Sequence, residues 1–211
     1  MFLERPTPYQ NYIVWLQQQD LTKAKQFWKH KLKGFLAPTS LRIEISNTKD
    51  DKEKVFLDQN LTLSPTTTEA LQQLARQHRL TLNTLVQGAW SLLLSRYSGE
   101  YDVVFGATVS GRQIPLAGVE SMVGLFINTL PVRVLITEDL TLISWLQQLQ
   151  RQQVEMEQYS YTQLVDIQSW SDLSPGSPLF EQILVFENYP GDVSMQQVSP
   201  HFTISNVQSF E

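Results

Sequence analysis

Apolar residues return at helical spacing from Pro8 to Leu32, in two pieces. Tyr9, Tyr12, Ile13 and Leu16 make the first stripe; Ala24, Phe27, Trp28 and Leu32 make the second. Asp20-Leu21-Thr22 offers a cap between them and Gly34 a stop. Residues Leu36 to Lys54 are polar and charged, with an exposed loop at Asn47 to Lys52. Val55 to Leu63 alternates as a strand does. Ser64-Pro65 then opens a helix to about His78, with Leu71, Leu74 and Ala75 inward. Thr81 caps the next helix, Leu82 to about Tyr97, which Gly99 ends. It is the most apolar of the set: Leu82, Leu85, Val86, Ala89, Trp90, Leu92, Leu93 and Leu94 leave little polar face. That pattern predicts a helix buried between layers.

The second half reads as strands separated by helices. Asp102 to Val109 is a strand ending in Ser110-Gly111-Arg112, and a Gly- and Pro-containing loop follows. Phe126 to Ile136 is a second strand. Leu140 to about Tyr159 is an amphipathic, Gln-rich helix with Leu142, Trp145, Leu146 and Leu149 on one face. A shorter helix covers Thr162 to Trp170, Ser174 to Pro178 is a turn, and strands are expected at Leu179 to Asn188 and Phe202 to Val207. Strands alternating with helices of this length predict an α/β layered fold. The chain stops at Phe210-Glu211 inside an apparent strand, which suggests a piece of something larger, because an open strand edge is a liability.

Composition narrows the chemistry. Two hundred and eleven residues allow one ordinary domain or two small ones. A net charge of −5 with interspersed signs argues against a nucleic-acid footprint. A cluster of Lys23, Lys25, Lys29, Lys31 and Lys33 around Trp28 is either a solvated helix face or a docking patch for an acidic partner. With no Cys there is no disulfide, Cys metal site or Cys nucleophile, which is compatible with a cytoplasmic location. Met1 to Gln10 has no apolar core of a signal peptide, and no run approaches the ~20 apolar residues of a membrane span.

Candidate chemistry is sparse. His30, His78 and His201 lack a carboxylate at an orienting spacing, and no zinc, phosphate-loop or serine-elbow motif appears. No catalytic and no metal-ligating residue is therefore nominated. Arg112 directly follows a strand end and Gly111: it either snorkels to solvent or makes an ion pair. Asn128-Thr129 interrupts the apolar run Val123 to Val134, as solvent-facing side chains or as hydrogen-bonded channel lining. Tyr9, Tyr12 and Trp15 form an aromatic stripe whose default role is packing.

Several of these segments together resemble one family. Pro8-Tyr9-Gln10-Asn11-Tyr12-Ile13-Val14-Trp15-Leu16 is similar to the fourth core motif of the condensation domains of nonribosomal peptide synthetases, with Asn11 for the usual Asp and Leu16 for the usual Gln. Ser110-Gly111-Arg112 with Met122 to Arg133 resembles the fifth motif, nearly complete. Ser177 to Glu181, continuing through Val185 to Pro190, resembles the seventh, with Ser177 where an Asn often stands. Tyr161-Thr162-Gln163-Leu164-Val165 occupies the place of a decayed sixth motif.

The resemblance implies half of a chloramphenicol acetyltransferase-like fold, a mixed sheet layered with helices. It implies that residues 1–211 are the C-terminal lobe of a condensation domain, short of that lobe's last strand and helix. The family joins acyl donor and acceptor amine held as thioesters on phosphopantetheine arms of carrier proteins. Its His-His-x-x-x-Asp-Gly motif precedes the fourth motif and is nowhere in this chain. The chain is thus expected to be non-catalytic alone, with carrier proteins and an N-terminal lobe as partners and no directly bound cofactor. Arg112 is expected to reach the Asp of the missing motif, with Asn128 and Thr129 near the tunnel and Trp15 and Tyr9 at the lobe junction. A lobe face left bare is expected to favour homodimers. The alternatives are a carrier-binding or assembly module and half of a split acyltransferase.

Overall fold

The computed structural model describes residues 6–41 and 57–187. Two short helices open the chain, α1 (Gln10–Gln17) and α2 (Leu21–Leu32). Asp20 caps α2 by accepting the Thr22 N–H at 2.9 Å, an interaction that lowers its carboxyl pKa. Helix α3 (Pro65–His78) starts at the expected Ser64 cap and Pro65. Helix α4 (Leu82–Ser98) starts at Thr81, whose hydroxyl accepts from the Thr84 N–H at 3.0 Å.

Strand β1 (Asp102–Val109) runs from the end of α4 through the middle of a small mixed sheet. Strand β2 (Asn128–Leu135) pairs antiparallel along its whole length, from Asp102 opposite Leu135 to Val109 opposite Asn128. Helices α5 (Leu142–Glu157) and α6 (Leu164–Trp170) follow. Strand β3 (Ile183–Leu184) then pairs parallel with β1 at Gly106 and Ala107. The order β2-β1-β3 makes the sheet mixed, as expected.

Alternation sorts the sheet into two faces. Val103, Phe105 and Ala107 lie opposite Val134, Val132 and Leu130, and all six are buried in the main core with Trp145, Leu146 and Leu149 of α5. On the other face Phe180 stands over Gly106 and Thr129. Two side chains of α5 close the outer edge of β2: Gln152 donates to the Arg133 carbonyl at 2.8 Å and Trp145 to that of Leu135 at 3.0 Å. Pro131 on the same strand has no N–H to offer. This edge is covered, which leaves little for strand addition.

Four expectations fail for physical reasons. Residues 57–63 form no strand; Leu57 and Leu61 are exposed, with no sheet beside them among the described residues, and residues 55–56 lie outside the described residues. The third strand shrinks to two residues because Leu179 turns into the core and Phe180 packs on Gly106. Within α5, Leu142 lies in the first turn and is exposed. Helix α4 is not buried all round. Besides Leu85 and Leu94, its buried positions are small or polar, among them Thr84, Gln87, Gly88 and Ser91, while Val86, Leu92 and Leu93 are 41%, 41% and 46% exposed. A Cβ on Gly88 would collide with Leu146, so α4 and α5 approach closely there. Thr84 donates to Gln153 at 2.9 Å and Gln153 donates to Gln87 at 2.7 Å, a polar seam that apolar counting misses. The expected strand at Phe202 to Val207, the end of the seventh-motif segment (Asn188 to Pro190) and His201 lie outside the described residues.

Candidate functional site

The site grows from the end of β1. Gly111 has φ 66, and a Cβ there would run into the Phe126 carbonyl, so only glycine lets the chain turn beneath Phe126. The turn presents Arg112. Its Nη1 donates to the carbonyls of Val119 at 2.6 Å and Met122 at 3.1 Å, and its guanidinium stacks 4.1 Å from the centre of the Phe126 ring. Nε and Nη2 make no hydrogen bond among the described residues. No carboxylate is paired with Arg112 among them either.

The aromatic stripe of α1 explains why Phe126 is where it is. Phe126 is buried, edge-on to Tyr9 at 5.1 Å and tilted against Tyr12 at 4.5 Å. Tyr9 also donates from its hydroxyl to the Leu125 carbonyl, and its ring fills the space a Cβ on Gly124 would need. Tyr12, Val119, Met122 and Phe126 make a second core separate from the main one, and burial raises the Tyr12 phenol pKa. The default packing role of the stripe therefore holds, and what it packs is the support of Arg112.

A cavity of about 550 Å³ opens at this strand end. Its wall includes Ser110, Arg112, Leu125, Ile127, Phe186 and Glu187. Of the five residues nominated from the sequence, only Arg112 is part of that wall. Asn128 spends its amide elsewhere: Nδ2 donates to the carbonyls of Ser160 and Thr162, both at 2.8 Å, and Oδ1 accepts the Thr129 N–H at 2.9 Å. Thr129 packs its methyl near Gly106. Tyr9 stands behind Phe126, and Trp15 lines a different cavity.

Two groups are absent from the sequence-based nominations. Glu187 falls within the Val185 to Pro190 segment that resembles the seventh motif, but no local pattern there points to a site. Arg133 does carry a signal, a charge in the alternating run Leu130 to Val134 with Asp102 at the start of the partner strand. Its Nη2 lies 2.7 Å from Asp102, and this bond raises its pKa further, against burial. Nη1 donates to the carbonyls of Lys31 at 3.2 Å and Lys33 at 2.8 Å, which ties α2 to the sheet.

Comparison with known proteins gives this arrangement a family. A model described as "Condensation domain" matches residues 2–210. The chain belongs to the condensation-domain family. It is 57% identical over 183 residues to a linear gramicidin synthase of Brevibacillus parabrevis, covering 87% of this chain and 4% of that protein. It is 39% identical to a surfactin synthase of Bacillus subtilis, covering 97% of this chain and 16% of that protein. The chain thus spans a small part of the curated relatives it matches. Among solved structures, the X-domain from teicoplanin biosynthesis superposes with a TM-score of 0.62 at 25% identity, over 82% of this chain and 40% of that one. The first condensation domain of the calcium-dependent antibiotic synthetase gives 0.62 at 18% identity, over 80% and 35%, a likeness of fold. The layered α/β arrangement is that of part of a condensation domain, with its chloramphenicol acetyltransferase-like fold. Among the described residues no helix is long and apolar enough to cross a membrane.

Proposed function

We propose that this chain is the C-terminal lobe of a peptide-synthetase condensation domain and forms one wall of the tunnel in which an amide bond is made. In that reaction an acceptor amine attacks a donor thioester carbonyl. The C–N bond forms, the C–S bond breaks, and the phosphopantetheine sulfur leaves as a thiol after the amine gives up its proton. The catalytic histidines come from the other lobe, since no His of this chain has an orienting carboxylate in the sequence.

The observation that carries the proposal is the half-used guanidinium of Arg112. One nitrogen holds the Val119–Met122 turn, while Nε and Nη2 are left to donate to a carboxylate from the opposite lobe. Asn128, Thr129, Tyr9 and Trp15 act in this reading as supports behind the wall. Carrier proteins deliver both thioesters, and the location is cytoplasmic. Val123, Leu125 and Ile127, exposed at 82%, 74% and 57%, form the face the second lobe covers. Without it, two copies of the chain associate through that face, which light scattering would show as a concentration-dependent rise in mass.

The test mixes this chain with a separately made lobe bearing the His-His-x-x-x-Asp-Gly motif, together with loaded donor and acceptor carrier proteins. Amide product is expected from the mixture and not from this chain alone. Product from this chain alone, or none from a mixture in which the lobes demonstrably bind, would overturn the proposal.

A further inference from the structure

A second cavity, of about 380 Å³, lies away from Arg112, between α1, the segment after Arg112 and the C-terminal end of α5. Trp15 and Tyr161 meet there at 88° with ring centres 5.7 Å apart, so they form an aromatic corner. The far side of Trp15 is already stacked on Tyr12, at 6.1 Å and 14°. Ile114, Pro115 and Val154 add apolar wall. The charged group in the lining is Glu157.

No described residue neutralises Glu157. It makes no salt bridge among the described residues, and no Lys, Arg or His is part of the lining. The amide nitrogen of Gln113, turned to face it, donates to both of its oxygens, and the second contact is 3.0 Å. The amide therefore orients the carboxylate without cancelling its charge. Glu157 is exposed on its outer side, and partial burial of its carboxyl against the cavity raises its pKa. Tyr161 is raised too, first by burial and then by Tyr159 and Asp20.

An anionic oxygen pair beside an aromatic corner and apolar wall matches an organic cation. The charge meets the carboxylate and the ring faces, and the carbon chain covers the apolar side. A neutral ligand would gain from the walls alone, and an anion would be repelled. We propose that this cavity binds an alkylammonium group, either a free amine or the lysine side chain of a docked protein segment.

The probe is n-butylammonium, titrated into the whole chain and followed by the indole N–H resonance of Trp15, with n-butanol as its uncharged counterpart. Saturable binding at about 1 mM is expected, with butanol weaker by about tenfold. Glu157→Gln keeps the shape and is expected to weaken butylammonium about tenfold while leaving butanol unchanged. Lysine blocked at both backbone ends then separates the sources. Binding as tight as butylammonium assigns the cavity to a protein side chain; binding tenfold weaker assigns it to a free amine. Three results would overturn the proposal: equal affinities for butylammonium and butanol, an unchanged affinity in Glu157→Gln, or no saturable shift of Trp15.

Discussion

The two ends of the β1–β2 ladder each hold one arginine, and they hold it differently. At the Asp102–Leu135 end every nitrogen of Arg133 is occupied: Nε and Nη2 by Asp102, Nη1 by the Lys31 and Lys33 carbonyls. At the Val109–Asn128 end the guanidinium of Arg112 bonds through Nη1 alone among the described residues and leans on Phe126. Five N–H donors in a fixed fork are costly to leave unmet away from water. The saturated end is architecture. The other end keeps unused donors among the described residues and a cavity opens there; the proposed contact of Arg112 with a second lobe would use them.

Removing Arg133 should have the largest effect on stability. Arg133→Ala strands the Asp102 carboxylate and unties α2, so a loss of about 2–3 kcal/mol is expected in urea unfolding, tempered by partial exposure of the pair. Arg133→Lys should recover less than half of it, since an ammonium cannot reproduce the fork. Asn128→Ala comes next at about 1–2 kcal/mol, because it removes two bonds to the 160–162 turn, where Ser160 and Thr162 are buried. If its loss were instead purely catalytic, Asn128 would belong to the open end after all. Arg112→Ala should cost this chain only about 1 kcal/mol, the value of its carbonyl contacts. A loss as large as that of Arg133→Ala would erase the contrast between the two ends.

The smallest effect concerns Glu157 and has the opposite sign. A carboxyl whose pKa is raised in the folded chain binds its proton more tightly there than when unfolded. Its ionisation therefore weakens the fold as pH rises through the folded pKa. Glu157→Gln should raise Tm by about 1 °C at pH 7, and the gain should vanish below the unfolded pKa. A lower Tm at pH 7 would mean that the carboxylate is already paired.

Much of the fold is legible in the sequence. The bounds of β1 follow from a run rich in β-branched and aromatic residues, and the caps at Asp20, Ser64 and Thr81 from capping residues, because both are local signals. Arg112 is marked by its place after a strand end and Gly111. What stays hidden depends on distant partners. No local rule says that Val86, Leu92 and Leu93 face outward while Thr84 and Gln87 face inward, since that follows from the glutamines of α5. Alternation at Val55 to Leu63 looks like a strand, but residues 57–63 have no neighbouring strand among the described residues to pair with. The cavity at Glu157 joins residues from three separate segments, and its parts carry no shared motif.

The most direct test of the central claim is the rate of amide formation between two carrier-bound aminoacyl thioesters. It is measured on a two-lobe domain containing this chain, wild type against Arg112→Ala, at a temperature where both stay folded. The open-end reading predicts a fall of about tenfold or more, equivalent to about 1.4 kcal/mol of transition-state stabilisation. An Arg112→Ala domain that forms amide at the wild-type rate would contradict it.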